Sequence, residues 1–443
     1  KEETEVMINV LNLQWKIENV KDISRKLKFV ILAKAGRYLL KNKGLKMKQT
    51  KLSVAIKATL LGASIVLAPA SFAVDKELLD ILKANGAITE DQYTELSMSN
   101  MMNKQNKPSD EMLKKMAWAG KLKVKGDLRL RQEFRNDTNG SSKREDRQRY
   151  RARIAVEGQV TDTVTAGVRM ASNGGATSTN ETLGDGFEND TVYFDRAYIN
   201  WTPFSGLDLM GGKIKQPWEQ VSGGLVWDGD VNPEGGAARY TAKLAGAEII
   251  GSVGHFVLDD IDGYSFDEDQ TMRYGQLTAK FNVAGAKAML GGSIYDYDAN
   301  KAGAFTSGGG NDSTKYSLQE IFGSLNINAG LPLTVYGQYV VNGDADGLND
   351  GEDTAWLLGV ETKMGRWKAS YDYRETELNA VNGAFNDSDF AGGRTDSEGN
   401  RWKLSYKIDK NFSVGTTYID SEVGQLNGDL DSDIWQIDLK AKF

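Results

Sequence analysis

The chain has 443 residues, with 48 glycines, 6 prolines, no cysteine and a single histidine, His255. Without cysteine there is no disulfide framework, thiolate zinc site, c-type haem attachment or cysteine nucleophile. One histidine leaves serine–histidine catalysis and histidine-rich metal sites almost no material. Residues 1–73 hold 14 Lys and Arg against 5 Asp and Glu, a net of +9, so the remainder carries a net of −16, a poor balance for binding nucleic acid. Mean hydropathy is −0.46. No uninterrupted apolar stretch of about 20 residues occurs, which argues against a helical membrane protein. A barrel escapes that test, because only every second residue of its strands faces lipid.

Met47-Lys48-Gln49-Thr50-Lys51 opens a short basic segment, an apolar run covers Ala58 to Ala68, and Pro69 ends it. Ser71-Phe72-Ala73 then places small residues at the −3 and −1 positions. This is the layout of a secretory signal peptide over residues 47–73, with cleavage expected before Val74. Residues 1–46 read either as sequence upstream of a true start at Met47 or as part of an unusually long leader. Residues 74–120 read as a helical periplasmic preface. Leu78, Leu79 and Leu82 form a stripe behind Asp75 as N-cap, with Asn85-Gly86 as a stop. Thr89 and Gln92 have capping-box spacing. A solvated helical hairpin is the simplest reading of the preface. A plug, trimerisation or cell-wall contact has no specific residue behind it.

Over residues 121–443 the period becomes two. Val124, Leu128, Leu130 and Phe134 alternate with charged residues, and the pattern returns in sixteen segments: 124–135, 146–160, 163–172, 191–202, 206–215, 236–244, 247–257, 271–281, 286–297, 317–328, 331–341, 354–363, 366–375, 400–408, 412–420 and 432–443. The faces of the fifth, seventh and ninth are ambiguous. Tight turns alternate with long polar connections near 137–145, 172–190, 216–235, 258–270, 298–316, 342–353, 376–399 and 421–431. Short turns on one side and long loops on the other mark an all-β, transmembrane antiparallel β-barrel of about sixteen strands, with both ends periplasmic. An even number of strands closes the sheet and leaves no unpaired edge in lipid. Trp201, Trp367, Trp402, Tyr406, Tyr418 and Trp435 fall near predicted strand ends, where amphipathic rings favour the membrane interface.

In the last segment Trp435, Ile437, Leu439, Ala441 and Phe443 share one face and the chain stops on Phe443. This resembles the C-terminal signal by which outer-membrane barrels are recognised for assembly. Together with the preface, Gly126-Asp127-Leu128-Arg129-Leu130-Arg131, Phe194-Asp195-Arg196-Ala197-Tyr198-Ile199 and the stretch from Trp227 to Gly235, it makes residues 74–443 similar to the putative porins of Gram-negative bacteria. The resemblance implies an outer-membrane channel for small hydrophilic solutes and ions, working as a homotrimer. It also implies the barrel-assembly machinery, outer-membrane lipid and lipopolysaccharide as partners.

With the apolar face in lipid, the polar face lines a pore. That face carries Arg129, Arg131, Arg149, Arg151, Arg153, Arg169, Arg196, Arg239, Lys243, Lys368, Arg374, Arg401 and Lys403. Arginine stays charged and is weakly hydrated, which suits a wall brushed by solutes. These groups either meet the solute or pair with lumen carboxylates such as Asp127, Glu133 and Glu157. By resemblance to general porins, loop 216–235 folds inward and sets the constriction, with Glu219, Asp228, Asp230 and Glu234 facing the arginine wall, and Trp218 and Trp227 beside them. Asp228-x-Asp230-x-Asn232 is not an EF-hand, since Pro233 and Arg239 stand where glycine and glutamate are required. No cofactor or metal is expected. Two other readings remain: a silent barrel acting as receptor, adhesin or sheath, and an outer-membrane hydrolase, which the lone His255 disfavours.

Overall fold

The computed structural model describes Lys83, Glu90, Tyr93, Thr94 and residues 119–443, apart from Gly140, 260–268 and 299–309. The leader, the residues before it and most of the preface lie outside the described residues. The chain divides into two units, 1–108 and 109–443. In the first, the four described residues are helical. Lys83 Nζ donates to Glu90 Oε1 at 2.8 Å and sits 4.5 Å from the centre of the Tyr93 ring.

The second unit is built on sixteen long antiparallel strands: β1 (Leu122–Asn139), β2 (Ser141–Gln159), β3 (Val164–Ala171), β4 (Tyr193–Trp201), β5 (Leu207–Lys213), β6 (Glu234–Leu244), β7 (Ala247–Asp259), β8 (Gln270–Val283), β9 (Ala286–Asp298), β10 (Tyr316–Asn328), β11 (Pro332–Asn342), β12 (Thr354–Met364), β13 (Trp367–Thr376), β14 (Ser397–Lys407), β15 (Phe412–Val423) and β16 (Leu430–Lys442). A two-residue strand, Glu181–Thr182, adds to the free upper part of β2. Each long strand pairs with its neighbour in sequence, and β16 pairs with β1 from Asp127↔Lys442 to Thr138↔Asp431. The sheet is therefore a closed barrel. At the seam the Gly126 N–H donates to the Phe443 carbonyl at 2.9 Å and the Phe443 N–H donates back to Gly126 at 3.0 Å. The aromatic ring lies over Gly126, where a Cβ would stand 2.2 Å from Phe443 Cζ and 2.9 Å from the Arg153 carbonyl.

Facing residues in antiparallel strands point to the same side, so the register assigns every face. Arg129 faces Arg151 and Lys440, Arg169 faces Arg196, Asp208 faces Arg239, Tyr274 faces Tyr295, and Arg401 faces Asp372 and Ile419. Followed round the barrel, these pairs return to the face on which they start, which is the lumen. The opposite face presents Val124, Leu128, Leu130, Ile199, Leu277, Ile294, Leu358 and Leu439, all exposed as a lipid-facing surface requires. The tight turns match their residues. Ala245-Gly246 and Ala284-Gly285 both take positive φ at both positions, the geometry of a two-residue turn that fits strand twist.

Three features differ from the sequence reading. The expected long loop at 137–145 is absent, because β1 and β2 stay in register as far as Asn139↔Ser141. Opposite charges face one another along that extension, with Glu133 opposite Arg147 and Arg135 opposite Glu145, which favours pairing. Trp402, Tyr418 and Trp435 lie inside their strands, not at the ends. They form an outer aromatic row from Tyr371 to Phe134, each member facing the next. Finally, the lumen face is not polar all round. On β7–β12 it is built from Phe256, Met272, Tyr274, Tyr295, Leu318, Phe322, Tyr336 and Leu357, so β7 and β9 are apolar on both faces and alternation could not sort them.

Gly126→Val is expected to destabilise the barrel by about 1–3 kcal/mol, the cost of forcing bulk into a filled contact. Urea unfolding in lipid reads the loss, and Phe443→Ala in the same chain should recover part of it. An unchanged midpoint would mean that the ring does not rest on Gly126.

Candidate functional site

Three of the connections turn into the barrel: L2 (172–192), L3 (214–233) and L7 (377–396). L3 is held first by its aromatics. Trp218 packs edge-on against Tyr274 at 5.2 Å and Tyr295 at 5.7 Å. It also meets Trp227 at 4.7 Å, and Trp227 in turn meets Phe385 of L7 at 5.6 Å. Val221, Leu225 and Val226 are buried in the same cluster. This explains the aromatic half of the lumen, which is the bed on which L3 lies. Polar contacts fix the register. Gln276 of β8 donates to the Glu219 carbonyl at 2.9 Å and accepts from the Glu219 N–H at 2.7 Å. Gly223 turns the loop back at φ +141° and lies so close to β12 that a Cβ would stand 2.4 Å from Leu357 Cδ1. No residue with a side chain is comfortable there.

L7 locks onto L3. The Asp228 N–H donates to the Phe385 carbonyl at 2.7 Å and the Asp387 N–H to the Gly224 carbonyl at 3.0 Å. The Ser388 N–H donates to Asp228 Oδ2 at 3.2 Å. L2 joins the lock. Thr179 donates to Asp230, Asn180 accepts from Arg129, and the Thr177 carbonyl accepts from Ser388.

The predicted arginines all stand on the lumen face, and most are paired. Arg131 pairs with Asp438 at 2.7 Å and Asp389 at 2.9 Å. Arg151 and Arg153 share Asp127 at 2.8 and 2.9 Å. Arg153 also reaches Asp230 at 2.9 Å. Arg169 pairs with Asp195 at 2.5 Å, and Arg196 donates to Asn232 at 2.7 Å. Arg401 bridges Asp372 and Asp387 and donates to the Gly223 carbonyl. Arg374 donates to that same carbonyl at 2.7 Å. Arg149 donates to the Asn180 carbonyl, and Lys243 faces Glu248.

Of the four acidic residues expected on the infolded loop, three lie on the inward part of L3. Asp230 meets the arginine wall on β2. Glu219 pairs with Arg239 and Lys280 on the opposite side. Asp228 sits at the L3–L7 junction. Glu234 does not lie there. It begins β6 on the outer face and pairs with Lys213 at 2.5 Å, both side chains exposed. Gly235 beside it takes φ +147° and is already in register with Gly212 and Phe256. Trp435, Leu439 and Phe443 point outward and are exposed, with Ile437 partly covered on the same face. L7 was not anticipated, although Phe385 and Phe390 in an otherwise polar segment were the available signal. Phe390 lies 4.2 Å from the Arg374 guanidinium.

Burial pushes the Asp228 carboxyl up, and the neighbouring Asp387 charge adds to it. Asp230 and Asp389 act the same way, against the Asp230 N–H bond that favours the anion, and the result is about 8. Burial also works against the charge of Asp389, but Arg131 overcomes it and holds that carboxyl well below the usual range. Glu219 is lowered in the same way: burial is outweighed by its bonds to Arg239 and Lys280. Among the described residues no group of His, Cys, Asp or Glu is arranged to hold a metal ion. His255 is exposed on the outer face between Gly236 and Arg273.

The sequence profile of the family described as "Putative porin" matches residues 134–320 and 326–443. No curated protein matches the chain. Among solved structures, OprB of Pseudomonas putida is similar at 11% identity and TM-score 0.51, covering 74% of this chain and 96% of its own. A triple mutant of the Rhodopseudomonas blastica porin is 10% identical with TM-score 0.45, covering 73% of this chain and 100% of its own.

The pH dependence of the L3–L7 lock follows from Asp228. Its folded-state value lies above that of an ordinary carboxyl, so the stabilisation from its bound proton is present at low pH and is lost as pH rises through about 8. Between pH 6 and 9, opening of the lock should rise by roughly a hundredfold, about tenfold per unit below the midpoint and levelling off above it. Hydrogen exchange of the Asp387, Ser388 and Asp230 amides, corrected for intrinsic rates, measures it. Asp228→Asn should flatten the profile, and a variant retaining the full rise would assign it to another group.

Proposed function

The chain belongs to the putative porin family and forms a porin channel, and from that premise we propose that it passes small hydrophilic solutes and ions by passive diffusion, across the outer membrane of a Gram-negative bacterium. The gauge of the pore is set by L3 together with L7. One observation carries this reading. L3 is bonded to the lumen wall on several sides, through Asp230 to Arg153 of β2, Glu219 to Arg239 of β6 and Lys280 of β8, and Gly223 to Arg374 and Arg401 of β13 and β14. A loop so anchored narrows the lumen and gives it an acidic edge beside a cationic wall, and rings of fixed charge govern which ions pass. Family and fold point to a channel and not to an enzyme.

A homotrimer is the expected assembly, and the strand lengths support contact between copies. β5 has 7 residues, β3 has 8 and β4 has 9, whereas β6–β16 have 10–14. At about 3.3 Å per residue and a tilt near 45°, seven residues climb roughly 16 Å, short of the ~25 Å apolar band of such barrels. This low wall bears exposed Val168, Phe194, Ile199 and Trp201. Another copy of the protein would spare that stretch the mismatch with lipid. The barrel-assembly machinery, through Trp435, Ile437, Leu439 and Phe443, and lipopolysaccharide complete the set of proposed partners.

Purified protein in a planar bilayer should give stable ohmic steps. Glu219→Gln with Asp230→Asn should loosen L3 and raise the unit conductance by about twofold or more, with altered ion selectivity. Unchanged traces would remove L3 from the constriction, and a silent barrel would favour a receptor, adhesin or sheath. Analytical ultracentrifugation in detergent should find three copies. A monomer would leave the short strands facing lipid and remove the assembly.

A further inference from the structure

Between L3, L7 and the cationic wall lies a cavity of about 310 Å³, within the range of small-molecule sites. Arg129, Arg151, Arg401 and Lys403 line it together with Asp228, Asp230, Asp387 and Asp389, and the edges of the largely buried Trp227 and Val221 form a small apolar part of the wall. The carboxylates around it are already engaged. Asp230 is taken by Arg153, Asp387 by Arg401, Asp389 and Asp438 by Arg131, and Asp372 by Arg401, while Asp228, also in the cavity wall, accepts from the Asp230 and Ser388 amides. Two cations are left over. Among the described residues, neither Arg129 nor Lys403 has a carboxylate within 4.0 Å. Arg129 is only 8% exposed and, among the described residues, donates to Asn180 alone and keeps a buried Nε without a partner. Lys403 is exposed on the lumen face between Ser370 and Thr417. A buried guanidinium without an anion is costly, and its planar fork matches a carboxylate.

We propose that this cavity is a binding step for small organic carboxylates on their way through the channel. Arg129 and Lys403 take the carboxylate, and Trp227 and Val221 receive the apolar part of the solute. The inference rests on the channel reading and names the solute class for the same constriction. An inorganic anion would satisfy the two charges but would leave the apolar side unused.

Benzoate and benzamide share a ring and a size and differ in charge, so they separate the contributions. In bilayers, benzoate should interrupt the current in a saturable way and benzamide should not. In Arg129→Gln/Lys403→Gln the benzoate affinity should fall at least about tenfold, relative to that variant's own current. Lys403→Gln alone, at an exposed position, should show part of the loss and guards against misfolding of the double variant. Titration calorimetry of benzoate into the detergent-purified barrel provides a readout that needs no current. A barrel that is silent yet binds benzoate through these residues would overturn the channel and keep the site. A conducting channel in which benzoate does not bind, binds no better than benzamide, or is displaced by equimolar phosphate would overturn the carboxylate site and leave the channel standing.

Discussion

Hydrocarbon offers a backbone amide nothing to bond with, and each amide left unpaired there costs several kcal/mol. A sheet that crosses the membrane must therefore close on itself. In this protein the seam between β1 and β16 does so, and the two hydrogen bonds between Gly126 and Phe443 tie its lower end. Closure has a second consequence. Because facing residues share a side, the register carried round sixteen strands, shifted at Arg169/Met170 and Val257/Asp259, makes every strand agree about which residues face lipid. The exposed leucines and valines outside and the arginines inside are two readings of that one condition.

The lumen is then free to be something other than uniformly polar, and it divides. One half is an ionic lattice, in which Arg131, Arg153 and Arg401 each reach two or more carboxylates. The other half is aromatic and receives L3. A ring pair of the kind Trp218 makes with Tyr274 and Tyr295 contributes about 0.5–1.5 kcal/mol beyond its buried area, so this bed is what holds L3 inward. The ionic half contributes differently. Buried pairs add little net stability over apolar packing, but breaking one leaves an uncompensated charge. The lattice therefore acts as a specification: Asp230 meets Arg153, and Asp387 meets Arg401, only if L3 and L7 lie where they do.

The three inward loops are thus one object. Asp228 joins L3 to L7 through the Phe385 carbonyl and the Ser388 amide, and Asp230 joins L3 to L2 through Thr179. Displacing any one of them unpairs groups on the other two. Arg129 and Lys403, which have no carboxylate partner among the described residues, line the cavity beside this block of loops.

Strand positions, tight turns and the arginine-bearing faces were legible from the chain because each is a local signal, whereas the inward course of L3 was expected only from resemblance to general porins. A two-residue period and an Ala-Gly turn are complete within about ten residues. The positions of Asp228 and Asp230 beside L7, and of Asp230 against β2, could be named as acidic residues on a loop but not matched to partners. Other features required the folded barrel. L7 is polar enough to pass for an outer loop, and its inward turn depends on Arg131 and Arg401, which lie far away in sequence. Glu234 looked like part of L3 until the register put it on the outer face. The aromatic lumen of β7–β12 breaks the rule of alternation because it faces another piece of protein and not water. The chain by itself determined that there is a barrel, and which residues line it. Only the tertiary structure decided which of those residues are paired and with which partners, because pairing and packing across the lumen join residues that no local pattern connects.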